Sequence, residues 1–250
     1  MKRRDKDKIS MEEKISRLKE YISGSSNIVF FGGAGVSTES GIPDFRSTDG
    51  LFSTRYEYPP EIMLSHSFFM SRTSEFYRFY RDKMIYPGAK PNLAHTALAE
   101  IERMGKLKAI ITQNIDGLHH IAGNTNIIEL HGSVHRNFCM ECSGPHALEF
   151  ILQAEDIPRC LCGGIVKPDV VLYEEGLDDT ALSDAVKFFA NADMLIVGGT
   201  SLLVYPAAGL INYYTGDKLV VINKTETHID QKANIAIYGS IGEVLHRACF

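Results

Sequence analysis

The chain has 250 residues, 44% of them hydrophobic and 23% charged, which suits one large globular domain or a domain with a small module. A formal net charge of −5 argues against direct nucleic-acid binding, and no apolar stretch approaches the length of a membrane span. The basic N-terminal run has no apolar segment behind it and so differs from a secretory signal, and we expect a cytoplasmic protein.

The first predicted element is a helix that begins after Ser10. Ser10 and Glu13 have the spacing of a capping box, in which each side chain accepts a hydrogen bond from the other residue's backbone N–H. Apolar residues at helical spacing follow, and Gly24 is a stop signal. The pattern therefore predicts a helix from about residue 10 to residue 24.

A strand and a glycine turn come next. The apolar run 27–31 predicts a buried strand, and Gly33, Ala34 and Gly35 follow it directly. Small residues after a strand let backbone N–H groups approach a phosphate closely. Thr38 stands where the dinucleotide fingerprint has its third glycine, so the fingerprint is incomplete and a structural turn remains an alternative.

The residues beyond this turn indicate chemistry on a nucleotide. Asp44, Phe45 and Arg46 bring a carboxylate, an aromatic ring and a guanidinium into three consecutive positions. Residues 47–92 then lack the alternation of strands, and turn signals flank an aromatic segment of helical spacing at 68–80. We interpret 47–92 as a helical insertion with an aromatic core.

From residue 92 onward the pattern alternates between helices and strands. Apolar strands separated by helices predict an α/β fold, a Rossmann-like parallel sheet with helices on both faces. Helices are predicted at 92–104 and 178–191, and strands at 107–112, 126–130, 194–199, 219–223 and 235–238.

Polar residues follow several predicted strands at the points where the strands end. Ligands of parallel sheets bind at the carboxyl ends of the strands, so we expect these residues to face one crevice. In chain order they are Gln113, Asn114 and Asp116 after one strand, His131 after the next, Thr200 and Ser201 after a third, and Asn223 and Lys224 after a fourth.

His131 is the residue that we predict to act as a general base. A histidine just past the carboxyl end of a strand is well placed to face the crevice. An imidazole titrates near neutral pH, as the removal of a proton from a hydroxyl requires.

Four of the five cysteines form two close pairs, Cys139 with Cys142 and Cys160 with Cys162. A C-x2-C pair, 17 intervening residues and a C-x-C pair are typical of a zinc ribbon, although the second pair is one residue shorter than usual. Four thiolates form a closed tetrahedral site without an open position for water or substrate. We therefore predict one structural Zn²⁺, in which Cys249 takes no part.

The order of these segments predicts two lobes. Residues 1–46, 93–131 and 169–250 form the Rossmann-like domain in this interpretation. Two insertions, the helical segment 47–92 and the zinc-binding segment 132–168, form a small lobe. A cleft between the two lobes is a usual place for a substrate.

These motifs, in this order, resemble those of the sirtuins of bacterial type, which are NAD-dependent protein lysine deacylases. The resemblance extends from about Ser10 to Arg247 and includes the segment 33–46, the four paired cysteines and the segment 167–171. It implies NAD as co-substrate, one structural Zn²⁺ and acyl-lysine proteins or peptides as partners, without nucleic acid or membrane. Because no coiled-coil heptads are present, we expect a monomer.

The resemblance also implies roles for individual residues. The residues implied to be catalytic are His131, Asn114 and Asp116. Those implied to contact NAD are Gly33, Ala34, Gly35, Thr38, Asp44, Phe45, Arg46, Gln113, Asn114, Ile115, Asp116, His131, Gly199, Thr200, Ser201, Asn223, Lys224 and Ile241. Those implied to contact the acyl-lysine and its flanking backbone are Val170, Val171 and Tyr173.

The implied reaction transfers the acyl group of a protein lysine to ADP-ribose and releases nicotinamide. Family members that prefer acidic acyl groups carry a Tyr-x-x-Arg pair in the small lobe. No such pair occurs between Leu51 and Lys90, so we predict neutral acyl groups, acetyl first. The alternatives are an ADP-ribosyltransferase or NAD glycohydrolase on the same scaffold, and a non-catalytic sensor of NAD or ADP-ribose. A zinc-ribbon adaptor for nucleic acid is disfavoured by the acidic charge balance.

Overall fold

The computed structural model of the chain describes residues 9–47, 50–51 and 56–250. The strands within these residues are β1 (Ile28–Gly32), β2 (Leu107–Thr112), β3 (Ile127–Glu129), β4 (Gly132–Cys139), β5 (Pro145–His146), β6 (Val166–Val170), β7 (Met194–Gly198), β8 (Leu219–Asn223) and β9 (Ile235–Tyr238). The helices are α1 (Met11–Ser23), α2 (Pro60–Met63), α3 (His66–Ser71), α4 (Thr73–Lys83), α5 (Leu93–Arg103), α6 (Leu118–Ile121), α7 (Leu148–Gln153), α8 (Asp179–Asn191) and α9 (Ile241–Cys249).

The larger sheet is parallel and has the strand order β3-β2-β1-β7-β8-β9. Helices α1, α5 and α9 pack on one face, and α8 packs on the other with the 3-10 segment Ala207–Tyr213. The predicted Rossmann-like sheet with helices on both faces is therefore confirmed. Among the described residues, no helix is both long and apolar enough to cross a membrane.

Helix α1 begins with the predicted capping box. The Ser10 hydroxyl accepts a hydrogen bond from the Glu13 N–H at 3.2 Å, and the Glu13 carboxylate accepts one from the Ser10 N–H at 2.8 Å. These two bonds satisfy two N–H groups that a helix start leaves without partners. The helix ends at Gly24, and its buried face packs against the sheet through Ile15, Leu18 and Ile22.

Strand β1 lies at the centre of the sheet, and all five of its residues are buried. Its last residue, Gly32, pairs with Thr112 at the end of β2 and with Gly198 at the end of β7. The three strands therefore end at the same edge of the sheet. This alignment brings the glycine turn and the segments after β2 and β7 to one place.

The small lobe contains the predicted helical insertion, but its aromatic segment is divided. Residues 68–80 belong to two helices, α3 and α4, which are separated at Arg72 (φ −136°, ψ 49°). The Ser65 side chain caps α3 by accepting a hydrogen bond from the Phe68 N–H at 3.1 Å. The prediction of an aromatic core is right, since Phe69, Phe76 and Tyr80 are fully buried.

A second sheet in the small lobe was not predicted from the sequence. It has three antiparallel strands in the order β5-β4-β6. Gly132 pairs with Val170 and Cys139 with Val166, with an irregular register between Gly132 and Asn137 that obscures the alternation of a regular strand. Because β6 runs through positions 168 and 169, the domain boundary expected there falls inside a strand.

Candidate active site

One cavity of about 610 Å³ lies at the carboxyl edge of the larger sheet and extends to the small lobe. Every residue proposed from the sequence to contact NAD or the acyl-lysine lines this cavity. They come from the glycine turn and the loop that follows it, from the carboxyl ends of β2, β3, β7 and β8 and the residues just after them, from the end of β6 and the segment after it, and from the first residue of α9. The parallel register of the strands explains why residues so distant in sequence meet.

The glycine turn packs too closely against the segment after β7 to admit side chains. A Cβ atom on Gly35 would lie 2.8 Å from Gly199 Cα, and one on Gly33 would lie 2.9 Å from Thr200 Cβ. The Gly35 N–H also donates a hydrogen bond to the Gly199 carbonyl at 2.8 Å. The turn therefore presents bare backbone to the cavity, as the approach of a phosphate group requires.

Asn92 fixes the loop that follows the glycine turn. Its side-chain amide donates hydrogen bonds to the Val36 carbonyl at 2.8 Å and to the Ser40 hydroxyl at 3.0 Å. Asn92 is also the N-cap of α5, and its N–H donates to His95 Nδ1 at 3.2 Å. The sequence analysis missed this role, although a cap residue before a helix is a signal that was available.

Ser37 links two of the residues proposed to be catalytic. The Asn114 side chain donates to the Ser37 hydroxyl at 3.0 Å, and that hydroxyl donates to the Asp116 carboxylate at 2.6 Å. The second carboxylate oxygen of Asp116 accepts the Leu118 N–H at 2.9 Å. Ser37 is 1% exposed, so this chain of hydrogen bonds is shielded from water. Ser37 was not singled out from the sequence, although it lies inside the glycine-rich motif.

The polar residues at the carboxyl ends of β2, β7 and β8 form hydrogen bonds with one another. Gln113 donates to the Thr200 hydroxyl at 3.1 Å. The Thr200 N–H donates to the Asn223 side-chain oxygen at 3.0 Å, and the Asn223 amide donates back to the Thr200 carbonyl at 3.2 Å. Three segments of the cavity wall are thus held in fixed positions before any ligand binds.

His131 is held as a neutral imidazole with one identifiable basic nitrogen. Its Nδ1 lies 2.9 Å from the Gln113 carbonyl, and because a carbonyl only accepts, Nδ1 carries the proton. Nε2 therefore keeps the lone pair. Burial lowers the pKa of His131 from its ordinary value, and the bond to the carbonyl opposes that shift in part. At neutral pH this histidine is suited to accept a proton.

Asp44 and Arg46 stabilise the start of the loop that leads from the larger sheet into the small lobe. One Asp44 carboxylate oxygen accepts the N–H groups of Arg46 at 3.0 Å and of Ser47 at 2.7 Å, which is the geometry of an Asx turn. The Tyr173 side chain is hydrogen bonded to Arg46, which connects this loop with the segment proposed to contact the substrate. Phe45 packs against the core of the small lobe.

The segment 170–175 is fixed by backbone hydrogen bonds at both of its sides. The Val171 N–H donates to the His131 carbonyl at 3.0 Å, and the Tyr173 N–H donates to the Leu64 carbonyl at 3.0 Å. The Glu175 carboxylate accepts hydrogen bonds from the Leu172 N–H at 2.9 Å and from Lys167 Nζ at 3.1 Å. These contacts give the cavity a rigid wall beside His131.

Glu174 adopts a left-handed backbone conformation, with φ of 76°, in this segment. Its carboxylate accepts hydrogen bonds from the Ser67 N–H at 2.9 Å and from the Ser67 hydroxyl at 2.6 Å. Both bonds lower the pKa of the Glu174 carboxyl group. The side chain thus ties the segment to α3 and offsets a backbone conformation that favours glycine.

The four paired cysteines converge on one point of the small lobe. Their sulfur atoms all lie within 4.8 Å of one another, with Cys139 and Cys162 3.4 Å apart and Cys142 and Cys160 3.7 Å apart. Thiolates placed tetrahedrally around zinc at ~2.3 Å are about 3.8 Å apart, so the donor set fits the ion. Cys249 lies on α9, where burial raises the pKa of its thiol to about 11.

One further histidine, His135 on β4, lines the cavity. His135 Nε2 lies 3.1 Å from the Asp116 carbonyl, which joins β4 of the small lobe to the segment after β2. A Cβ atom on Gly117 would lie 2.7 Å from the His135 ring, so this contact is close. The sequence carried no signal for it, because β4 itself was not predicted.

The sequence is similar to proteins of one known family over most of its length. A sequence model of the Sir2 family matches residues 33–206. A Clostridium acetobutylicum protein described as an NAD-dependent protein deacetylase is 61% identical over 237 residues, which cover 93% of this chain and 97% of that protein. A Clostridium tetani protein with the same description is 62% identical over 232 residues, which cover 91% of this chain and 94% of that protein.

Solved structures of Sir2 enzymes are similar to this fold. One, described as "Structural Basis for the Mechanism and Regulation of Sir2 Enzymes", has a TM-score of 0.87 at 41% identity and covers 96% of this chain and 97% of that chain. Another, a Sir2 protein with deacetylated p53 peptide and 3′-O-acetyl-ADP-ribose, has a TM-score of 0.86 at 38% identity and the same two coverages.

Proposed function

The chain belongs to the Sir2 family, and we infer that it is an NAD-dependent protein lysine deacetylase that transfers the acyl group to ADP-ribose. The observation that carries this function is the neutral His131 beside the segment 170–173, in the same cavity as the bare glycine turn. Such a reaction needs a base, a site that binds the nucleotide and a segment that binds the substrate peptide.

The cavity wall fits NAD. The glycine turn at Gly33–Gly35 would hold the pyrophosphate, and Thr200 and Asn223 would lie along the phosphate and adenosine side. Asp116 and Asn114 would hold the carboxamide and the ribose of the nicotinamide end. NAD, when bound, supplies a ribose carbon whose bond to the cationic nicotinamide ring is already weakened.

His131 takes a proton from a ribose hydroxyl through Nε2 in this proposal. The Gln113 carbonyl fixes the tautomer and the ring orientation, and it stabilises the imidazolium that forms when the proton is taken. The low pKa caused by burial keeps the ring unprotonated at neutral pH. His131 therefore acts as the base without a carboxylate partner.

The chain Asn114–Ser37–Asp116 has a positioning role. Each of the three side chains makes a hydrogen bond that sets the direction of the next one. Because these groups are fixed before the substrate arrives, they can stabilise positive charge on the ribose without reorganising. The apolar side chains of Val170 and Val171 line the path of the acyl-lysine and exclude water from the reacting carbon.

Neutral acyl groups, acetyl first, remain the proposed substrates. Tyr77 donates its hydroxyl to the Val166 carbonyl, and Arg81 donates to the Ile151 carbonyl at 2.9 Å and to the Asp156 carbonyl. These two side chains are engaged within the small lobe. The protein is further proposed to act as a monomer in the reducing cytoplasm, which its free, clustered thiols suit.

The function is tested by mass spectrometry of an acetyl-lysine peptide incubated with the protein, with and without NAD. We expect the peptide to lose its acetyl group only when NAD is present. ADP-ribose attached to protein would instead support a transferase, and NAD binding without turnover of either substrate would support a sensor. The variant His131→Ala should bind NAD but lose deacetylation.

A further inference from the structure

Arg136 of β4 connects the larger sheet with the small lobe through two ion pairs. Its Nη1 donates to the Glu129 carboxylate of β3 at 2.6 Å, and its Nε donates to the Asp169 carboxylate of β6 at 2.7 Å. Strand β3 lies at one edge of the larger sheet, whereas β4 and β6 belong to the sheet of the small lobe. One guanidinium therefore spans the boundary between the two lobes.

Both carboxylates lie just before residues of the proposed reaction. Glu129 precedes His131 with one residue between them, and Asp169 directly precedes Val170, which lines the cavity. The two segments meet where the Val171 N–H donates to the His131 carbonyl at 3.0 Å. The distance between the proposed base and the wall that would contact the acyl-lysine thus depends on how β3, β4 and β6 are held together.

The backbone pairing of β4 with β6 is weak in the stretch where Arg136 lies. The register shifts between Gly132 and Asn137, so the regular ladder of hydrogen bonds is interrupted there. Asn137 pairs with Pro168, which has no N–H group to donate. The ion pair between Arg136 and Asp169 therefore supplies a connection between the two strands that their backbones lack.

The burial of Glu129 distinguishes this contact from an ordinary surface ion pair, which contributes little. The Glu129 side chain is only 7% exposed, and a nearly buried carboxylate that loses its cation is costly. His120 Nε2 lies 3.6 Å from the same carboxylate, too far for a good hydrogen bond. The planar guanidinium of Arg136 offers N–H groups in two fixed directions, as a link between two carboxylates requires.

We propose that Arg136 is a positioning residue of the deacylation, which holds His131 and the segment 170–173 at a fixed distance from each other. The inference rests on the proposed deacetylase function, because it assigns the acyl-lysine to this segment. Arg136 does not line the cavity and acts through Glu129 and Asp169. Its loss should disturb the peptide side of the site and spare the nucleotide side, since the glycine turn and the ends of β7 and β8 make no contact with these ion pairs.

The test measures two properties of the wild type and of Arg136→Gln: kcat/KM for an acetyl-lysine peptide at saturating NAD, and the affinity for ADP-ribose by titration calorimetry. We expect kcat/KM to fall by about 10-fold to 100-fold, since a displacement of about 1 Å between reacting groups has an effect of this size. The affinity for ADP-ribose should stay at the wild-type value. An unchanged kcat/KM, or an equal loss of ADP-ribose affinity, would overturn the proposal. A wild-type protein that does not deacetylate the peptide would instead refute the proposed function.

Three further variants complete the experiment. Arg103→Gln is the matched control, because Arg103 Nε donates to Glu100 at 2.7 Å within the single helix α5, and it should behave as the wild type. Arg136→Lys keeps the charge without the planar fork and should recover little of the lost kcat/KM. Asp169→Asn leaves Glu129 with its cation, so it serves where Arg136→Gln does not fold, and its kcat/KM should also fall. Wild-type kcat/KM in Arg136→Lys or in Asp169→Asn would overturn the proposal.

Discussion

At the scale of single residues, single hydrogen bonds determine the protonation and the orientation of the side chains proposed to be catalytic. The Gln113 carbonyl determines which nitrogen of His131 carries the proton, and the Ser37 hydroxyl determines the orientation of Asp116. The partner of His131 is a backbone carbonyl and not a carboxylate. His131 is therefore controlled by burial and by a backbone dipole, and its behaviour follows from those two causes.

The first prediction concerns the pH dependence of the reaction. The neutral form of His131 is the base, so kcat/KM should fall as the pH is lowered through the pKa of this group. Because burial lowers that pKa from its ordinary value of 6.5, the acid limb of the profile should lie below pH 6.5. The measurement is kcat/KM against pH, and an acid limb above pH 6.5 would contradict the role of burial.

Replacement of the base should lower the rate without unfolding the protein. We expect His131→Ala to reduce kcat/KM by about 100-fold to 10,000-fold, the usual contribution of a general base. His228→Ala removes an exposed histidine and is the control. A His131→Ala enzyme with nearly wild-type kcat/KM would assign the proton transfer to another group.

Sequence reasoning reached most of the site at this scale, but it missed residues that act through others. His131, Asn114 and Asp116 could be selected because they follow predicted strands or match a family motif. Ser37 and Asn92 act on those residues by hydrogen bonds across large sequence separations. Such bonds depend on tertiary distances, which residue spacing alone does not give.

At the scale of elements, the wall beside His131 is held by Glu174 in a left-handed conformation. The carboxylate bonds to Ser67 compensate for this conformation and attach the segment to α3. Two replacements of Glu174 separate the contribution of its hydrogen bonds from the cost of its backbone conformation. Glu174→Ala loses the bonds and keeps the backbone strain, whereas Glu174→Gly loses the bonds and relieves the strain.

We therefore predict that Glu174→Gly is more stable than Glu174→Ala. The left-handed conformation costs alanine about 1 kcal/mol more than glycine, which corresponds to about 2–4 °C in melting temperature for a chain of this size. Differential scanning calorimetry of both variants measures it. Identical melting temperatures, or a more stable alanine variant, would show that the segment relaxes out of the left-handed conformation.

The elements with regular periodicity were predicted, and those with irregular geometry were not. The capping box of α1 and the apolar strands of the larger sheet follow local rules, and they occur where expected. Strand β4 has a register shift, and α3 and α4 are divided at Arg72 by a backbone conformation that no residue pattern announces. The second sheet of the small lobe was not predicted because of the register shift in β4.

At the scale of the whole molecule, the cysteine cluster supports the small lobe and through it the wall of the cavity. Cys139 is buried in the same core as Phe69, Tyr77 and Val166, and it ends β4. Strand β6 pairs with β4 and continues to the residues beside His131. A metal that holds the cysteines together therefore stabilises the active-site wall without taking part in the reaction.

Removal of the metal should lower both stability and activity. We expect a strong chelator, or the variant Cys162→Ser, to lower the melting temperature and the deacetylation rate together. Cys249→Ser changes a thiol on α9 outside the cluster and should leave metal content and activity unchanged. Elemental analysis with parallel melting curves decides this prediction, and full activity in a metal-free, folded protein would refute it.

The central claim is that one cavity couples the cleavage of NAD to the removal of an acyl group from lysine. The most direct test is the stoichiometry of the products, measured by quantitative mass spectrometry with an acetyl-lysine peptide and NAD. The account predicts equal amounts of nicotinamide, deacetylated peptide and O-acetyl-ADP-ribose, and little nicotinamide without the peptide. Nicotinamide released in excess of deacetylated peptide, or free acetate in place of O-acetyl-ADP-ribose, would contradict it.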